Sequence, residues 1–382
     1  MKTDRHKSQL VPNLRFPGFE GEWRMCRLGD IAIKVGSGIT PKGGNSVYKQ
    51  FGHYFVRSQN IGNGHLLLND IAFIDNATHH KQISTEIKVD DVLLNITGAS
   101  IGRCAIATQQ IEGGNVNQHV CIIRLKSIAN PIYICNFILS NKGQKQIDSF
   151  QAGGNRQGLN FEQIKTFLLH LPCRIEQDKL AKLLSLLDSR LSTQNKIIEQ
   201  LESLIKGLCR ILIISKTPNT KIKSCLECHS STLSESDIEE DGGICNVYGA
   251  TGVIAKTSKY QIDKSSILII KDGAGVGRVQ YAEGRYSVLG TLNYLTAKNG
   301  YFLKYLYYFL SIFNFGRFVV GSGIPHIYFK DYGEAECYCP SLATQYKIAN
   351  ALTAVTEKIE IERRLLQKMK EQKQYLISNL FI

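Results

Sequence analysis

Apolar residues recur at alternating steps of four and three through residues 174–210: Leu180, Leu184, Leu187, Leu191, Ile198, Leu201, Ile205 and Leu208. That spacing is a heptad seam, and it predicts a long helix of the coiled-coil kind rather than a short amphipathic one. One seam position in the middle is polar, Gln194. The seam recurs 168 residues further on as Ile348, Leu352, Val355, Ile359, Leu366, Met369 and Leu376. There Glu362 takes the place of Gln194 and Lys373 that of Ile205, and Gln177/Gln345, Lys179/Lys347 and Ala181/Ala349 match in the same register. A stripe this long must be buried, and its second copy is the candidate partner. In an antiparallel pair of equal helices the centres face each other. The spacing therefore predicts that Gln194 and Glu362 meet and hydrogen-bond, fixing register at some cost in stability.

The rest of the chain reads as mixed α/β. Leu28–Val35 has a strand or short-helix pattern, Phe51–Ile61 reads as a strand carrying Arg57, and Ile71–Ile74 and Val120–Leu125 as two more. Pro131–Phe150 has helical periodicity with Pro131 in the favoured first turn. Within Ser215–Asp241 the stretches SKTPNTK and STLSESDIEED look like linker or surface, and a second globular region is expected to begin near Gly242. That region repeats the first. Leu93–Arg103 (LLNITGASIGR) matches Leu268–Arg278 (LIIKDGAGVGR) at an offset of 175, each reading as strand, glycine turn, strand. A helix follows in each copy, the second at Phe302–Phe313, then a Gly-rich loop (Gly153–Gly158, Gly321–His326), then Pro172 or Pro340. The expected organisation is a globular unit over 1–172, a helix over 173–212, a globular unit over 213–339 and a helix over 340–382. The repeat makes the two helices each other's candidate partners in a coiled coil, and an antiparallel pairing would give the chain an internal pseudo-two-fold repeat.

Charge adds a direction. The formal net charge is +13, which favours a polyanionic partner, nucleic acid or an anionic membrane surface. Residues 1–170 carry 19 basic and 12 acidic groups, whereas residues 211–338 carry 13 and 12. The longest apolar runs are too short to span a bilayer, so no membrane is expected. Met1–Gln9 is polar, without the apolar core of a signal peptide. Eleven scattered cysteines fit a reducing cytoplasm without a disulfide framework.

With the paired glycine hairpins, the loop-then-Pro entry to each helix, the repeated seams and the NLRFPGFEGEW opening, the chain resembles the specificity subunit of a Type I restriction-modification system over essentially its whole length. The resemblance implies two target recognition domains, each reading one half of a split, asymmetric site in double-stranded DNA. It implies that the helices bind two modification subunits, that methyl transfer belongs to those partners, and that restriction and motor subunits join the full complex, a site-specific deoxyribonuclease. This chain is then no enzyme itself and needs no cofactor. Thirty helical residues span roughly 45 Å at about 1.5 Å each, which sets the domain centres roughly 13 base pairs apart and leaves several unread base pairs between two short recognised blocks. One departure stands out: Gly242–Lys264 shows no clear counterpart of Pro41–Arg57.

Phosphate contacts call for Lys, Arg and small polar groups, and base reading for Arg, Lys, Asn or Gln. The candidates in the first unit are Lys42, Asn45 and Arg57, then Thr97, Ser100 and Arg103 at the hairpin, then Asn155, Arg156 and Gln157. In the second they are Tyr248, Thr251 and Lys256, then Lys271 and Arg278, then Ser322, His326, Tyr328 and Lys330. Turn chemistry and surface solvation are the alternative for each. Arg103 and Arg278 recur at equivalent positions, as DNA contacts or as a repeated structural salt bridge. Asp75 with Glu86 and Lys88 loosely resembles the acidic pair and lysine of metal-dependent nucleases, which is the alternative function. The loop Gly273–Gly277 leads into a strand pattern rather than the helix that nucleotide binding needs. Cys225-Leu226-Glu227-Cys228-His229 has haem-attachment or partial zinc spacing, but its nearest further pair is Cys337 and Cys339, and no metal is expected.

Overall fold

The computed structural model describes residues 11–151, 158–239 and 241–382, the side chains of 44 and 45 set aside. It divides into two compact units, Met1–Thr193 with Leu366–Ile382, and Gln194–Leu365. Each unit holds a globular part and a share of both long helices, Arg174–Cys209 and Leu342–Leu380.

In the first unit, a four-stranded antiparallel sheet runs in the order Ala32–Ser37, Val120–Leu125, Val92–Asn95, Cys104–Ile106. The apolar run Val92–Leu94 is continuous because both faces of its strand are covered. Val92 and Leu94 pack with Cys121, Ile123, Tyr133 and Phe137 on one side. Leu93 turns the other way, toward Val56, Ile87, Val120 and Ile122. A smaller sheet joins Ala72–Ile74, His53–Val56 and Asn115–Val116, the last pair parallel. Arg24–Arg27 and Leu168–Leu171 close the unit as an antiparallel two-strand stem.

The second unit repeats this plan. Its main sheet runs Leu226–Ser230, Leu292–Ala297, Ser266–Ile270, Val279–Ala282. Ile267 and Ile269 face one core and Leu268 and Ile270 another. Thr220–Lys221 and Glu336–Cys337 form the stem.

Several sequence expectations are corrected. The stretch SKTPNTK is not all linker: it ends in the stem strand Thr220–Lys221, so the second globular part starts well before Gly242, with the turn Ile222–Cys225 and an edge strand of the main sheet. Ile222, Cys225 and Leu226, which follow that stretch, are all at 1% exposure or less. The stretch after Gly242 does have a topological counterpart in the first unit. Cys245–Gly249 pairs parallel with Arg285–Val288 as His53–Val56 does with Asn115–Val116. The expected strand Phe51–Ile61 is a paired strand only over His53–Val56. Asn60 then accepts from the Arg57 amide at 3.0 Å and closes a tight turn over Ser58–Asn60. The expected helix Pro131–Phe150 is two, Pro131–Leu139 and Asn141–Ser149. Ser140 adopts an extended backbone between them and accepts from the Gly143 amide, offering the chain a local cap in place of continued helix.

Along the helices, Leu180, Leu184, Gln194, Ile198, Leu352, Ile359, Glu362 and Leu366 are buried, while Leu187, Leu191, Leu201, Ile348, Val355 and Met369 are half-buried. Within the first unit, Leu180 and Leu184 share a core with Ile377, Leu380 and Phe381, and Lys373, at an apolar seam position, pairs with Asp188. Within the second, Ile205, Leu208 and Cys209 pack with Ile348, Ala349 and Leu352. Gln194 Nε2 donates to the Glu362 backbone carbonyl at 3.2 Å and to its carboxylate. In both units numbers rise along one helix as they fall along the other, so the segments run antiparallel.

The Lys358 ammonium and the Gln194 amide hold the Glu362 carboxyl below its ordinary value of 4.5. The unfolded chain therefore takes up this proton first as pH falls. The stabilisation is complete above the ordinary value and is lost as pH drops through the depressed one. A Glu362→Gln variant should show a weaker fall in Tm between pH 5 and 3 than the parent, read by circular dichroism; parallel Tm curves would contradict this.

Candidate nucleic-acid interface

In both units the glycine hairpin is bridged, at equivalent positions, to the residues that end or follow the Gly-rich stretch. In the hairpin of the first unit, Gly98 and Gly102 take positive φ (71° and 85°), which lets the chain reverse over Gly98–Ser100. Gly158 and Leu159, just ahead of the helix Phe161–Lys165, bridge back to this hairpin. Thr97 pairs with Gly158, and the Leu159 amide donates to the Ile96 carbonyl at 2.8 Å. In the second unit Asp272 pairs with His326, and the Ile327 amide donates to the Lys271 carbonyl at 3.0 Å. These are the same positions at the repeat offsets. The scaffold is shared and the exposed side chains differ.

A cleft of about 470 Å³ opens at the first hairpin, lined by Ser58, Gln59, Thr97, Ser100, Arg103 and His119 among others. Thr97 Oγ1 lies 2.6 Å from His119 Nδ1, and Asn95 Nδ2 donates to Ser100 Oγ at 3.0 Å and to the Ser58 carbonyl at 2.9 Å. Arg103 is exposed and has no side-chain hydrogen bond or ion pair among the described residues. Arg57 is partly committed to structure: it donates to the Asp70 carbonyl at 2.9 Å and lies over the Tyr48 ring. Lys42 is exposed. The side chain of Asn45 is outside what is described, and Asn155, Arg156 and Gln157 lie outside the described residues.

In the second unit, a cleft of about 560 Å³ brings Thr251 together with Arg278, Gln280 and Asn314. The Arg278 guanidinium packs against Gly275, where an added Cβ would meet it at 3.1 Å. His326 Nδ1 bonds Asp272 at 2.7 Å, and Lys271 lies 3.9 Å from the same carboxylate, so both are tied into the loop junction. Tyr328 is 48% exposed, its ring near-parallel to that of His326 and under the Lys330 ammonium. Ser322 is exposed. Tyr248 is half-buried against Tyr286, and Lys256 sits on the strand Gly252–Thr257, apart from the loop junction. Sequence reasoning missed His119, Gln59, Gln280 and Asn314. The signal for His119 was the polar break Asn117-Gln118-His119 just before an apolar strand.

The nuclease-like trio is spread over separate structural tasks. Asp75 caps the helix Asn76–His80, and the Thr78 hydroxyl and amide hold its carboxyl below the ordinary value. Glu86 faces His79 at 3.8 Å, while the Lys88 amide donates to Asp91. Among the described residues, these carboxylates join no cluster of three potential metal ligands. No helix is long and apolar enough to cross a membrane among the described residues.

Two units of one topology, carrying the same locked loop pair with different polar side chains, define a duplicated mixed α/β recognition protein. Residues 20–203 and 219–371 match the sequence model of the Type I restriction modification DNA specificity domain. The chain therefore belongs to that family, as a specificity subunit with two copies of the domain. A protein of Methanocaldococcus jannaschii provisionally named the MjaX type I restriction enzyme specificity subunit is 23% identical, over 94% of this chain and 92% of its own. The StySPI type I restriction enzyme specificity subunit of Salmonella potsdam is 21% identical over 52% of this chain and 44% of its own. The fold is that of the S subunit of a type I restriction-modification system from M. genitalium, with a TM-score of 0.65, 15% identity and coverage of 97% and 99%. A structure on assembly and conformational transition of the type I R-M system matches at a TM-score of 0.57, with 16% identity and coverage of 94% and 97%.

Proposed function

We propose that each globular unit of this specificity subunit, 1–172 and 213–339, reads one half of a bipartite, asymmetric DNA target. The helices over 173–212 and 340–382 are the docking surface for two modification subunits. Methyl transfer belongs to those partners, and DNA cleavage, in the full complex in the cytoplasm, to restriction and motor subunits. One observation carries this reading. The hairpin is bridged at equivalent positions in both units, yet the bridged residues are Thr97 and Gly158 in one and Asp272 and His326 in the other. An identical scaffold with different surface chemistry reads two different short sequences, and only outward-facing loops need change to do so.

Methylation mapping in a host that carries this chain and its modification partner tests the reading. The expected outcome is one modified motif of two unlike blocks separated by unread base pairs. Replacing Gly242–Leu289 by the matching segment of a relative should change one block and leave the other. A single-block or palindromic motif would overturn the two-reader assignment.

A further inference from the structure

Three thiols far apart in the sequence meet in the second unit. Cys225 ends the turn Ile222–Cys225, Cys337 ends the stem strand, and Cys339 follows two residues later. The Cys225 Sγ lies 3.9 Å from that of Cys337 and 3.6 Å from that of Cys339, and the latter two are 3.9 Å apart. Among the described residues, this is the one group of three His, Cys, Asp or Glu side chains whose ligand atoms all lie within 4.8 Å of one another. The sequence neighbours of Cys225 take no part: the His229 ring bonds Thr296 at 3.0 Å, and Cys228 belongs to the core beside it.

The spacing has a chemical meaning. Thiolates about 2.3 Å from a tetrahedral zinc ion sit about 3.8 Å from one another, and the three sulfur separations here straddle that value. The loop holding two of them is fixed independently of any ligand. Asn219 donates through Nδ2 to the Cys339 carbonyl at 2.8 Å and accepts from the Cys339 amide at 2.9 Å. Its own amide donates to the Cys337 carbonyl at 3.1 Å. The Tyr305 hydroxyl donates to the Tyr338 carbonyl at 2.6 Å. The Cys225 thiol itself lies 3.4 Å from the Lys221 carbonyl. Supports of this kind orient the ligands of a metal centre.

The repeat supplies an internal control. The stem register Arg27 to Leu168 in the first unit corresponds to Lys221 to Glu336 in the second. Cys225, Cys337 and Cys339 then stand where the first unit has Ile31, Leu169 and Leu171, which pack in or against its core. Packing at these positions is satisfied by aliphatic side chains in one copy. All three are thiols in the other.

We infer that Cys225, Cys337 and Cys339 form a zinc-class metal site that ties the stem of the second unit to its first helical turn. The three thiolates bind the ion, and a water from solvent completes the tetrahedron. Binding releases the three thiol protons to solvent and involves no change of oxidation state. The full chain, purified under reducing conditions, reconstituted with zinc and desalted, should hold one zinc per chain by elemental mass spectrometry. With cobalt(II) in place of zinc it should show a thiolate-to-cobalt charge-transfer band. The triple variant Cys225→Ile, Cys337→Leu, Cys339→Leu copies the first unit; it should fold with the parent's circular dichroism and lose both signals. Should that variant not fold, Cys339→Ser alone decides, with zinc binding expected to weaken by more than about 100-fold in chelator competition. No zinc in the reconstituted parent, a full equivalent kept by the triple variant, unchanged affinity in Cys339→Ser, or a Cys225–Cys339 disulfide in the reduced preparation would overturn the site.

Discussion

Replacing Arg124 by leucine is expected to lower the stability of the first unit by about 3–5 kcal/mol, the cost of leaving one member of a buried ion pair alone. Asp91 is fully buried, and Arg124 meets it with both arms of the guanidinium, at 2.8 Å and 2.7 Å. The same arginine donates to the Glu86 carbonyl at 3.0 Å, and Asp91 accepts from the Lys88 amide at 2.7 Å. Leucine would leave the Asp91 carboxylate without its partner at the entrance to the central strand. Arg124→Lys should recover only part of the loss, because one ammonium cannot span both oxygens. Urea unfolding of the three proteins measures this, and a loss under about 1 kcal/mol would show that the pair is dispensable. At the equivalent of Asp91 the second unit has Ser266, bonded to the Tyr286 hydroxyl. The lability is a property of one unit only.

Arg278→Ala is expected to reduce modification of the cognate site by about 10- to 100-fold, the worth of one good side-chain-to-base contact. Arg103→Ala should do the same through the other block. Neither guanidinium has an ion pair among the described residues, and each lines a cleft at the hairpin. That disfavours the alternative of a repeated structural salt bridge. Modification rates on sites altered in one block at a time separate the outcomes. An arginine reading its own block should lose its preference there and keep it at the other. Unchanged rates with normal stability would remove both residues from the interface.

The long helices were legible because a heptad seam is a local pattern that survives without tertiary information. Its two polar centres could be paired on symmetry alone. The central strands were legible as short apolar runs, since burial on both faces leaves no polar alternation to confuse the reading. The edge strand Leu226–Ser230 was not, because only Leu226 faces fully inward and Glu227, His229 and Ser230 read as surface. The Pro131–Phe150 stretch kept its periodicity across Ser140, and only the extended backbone of that residue reveals the break. Among the candidate contacts, the sequence located the two hairpins but could not separate exposed Arg103 from Arg57, which already serves Asp70 and Tyr48. The cysteines show the limit most plainly. Spacing grouped Cys225 with Cys228 and His229, whereas the stem joins it to two residues more than 110 positions away.

The stem itself has an evolutionary consequence. Because each globular unit enters and leaves through adjacent strands, Arg24–Arg27 beside Leu168–Leu171 and Thr220–Lys221 beside Glu336–Cys337, everything between them is a cassette with neighbouring ends. Recombination at the two short stem segments could exchange an entire reader in one event while the helices kept their phase. New target sequences could then arise by shuffling whole units, with no need to rebuild the protein residue by residue.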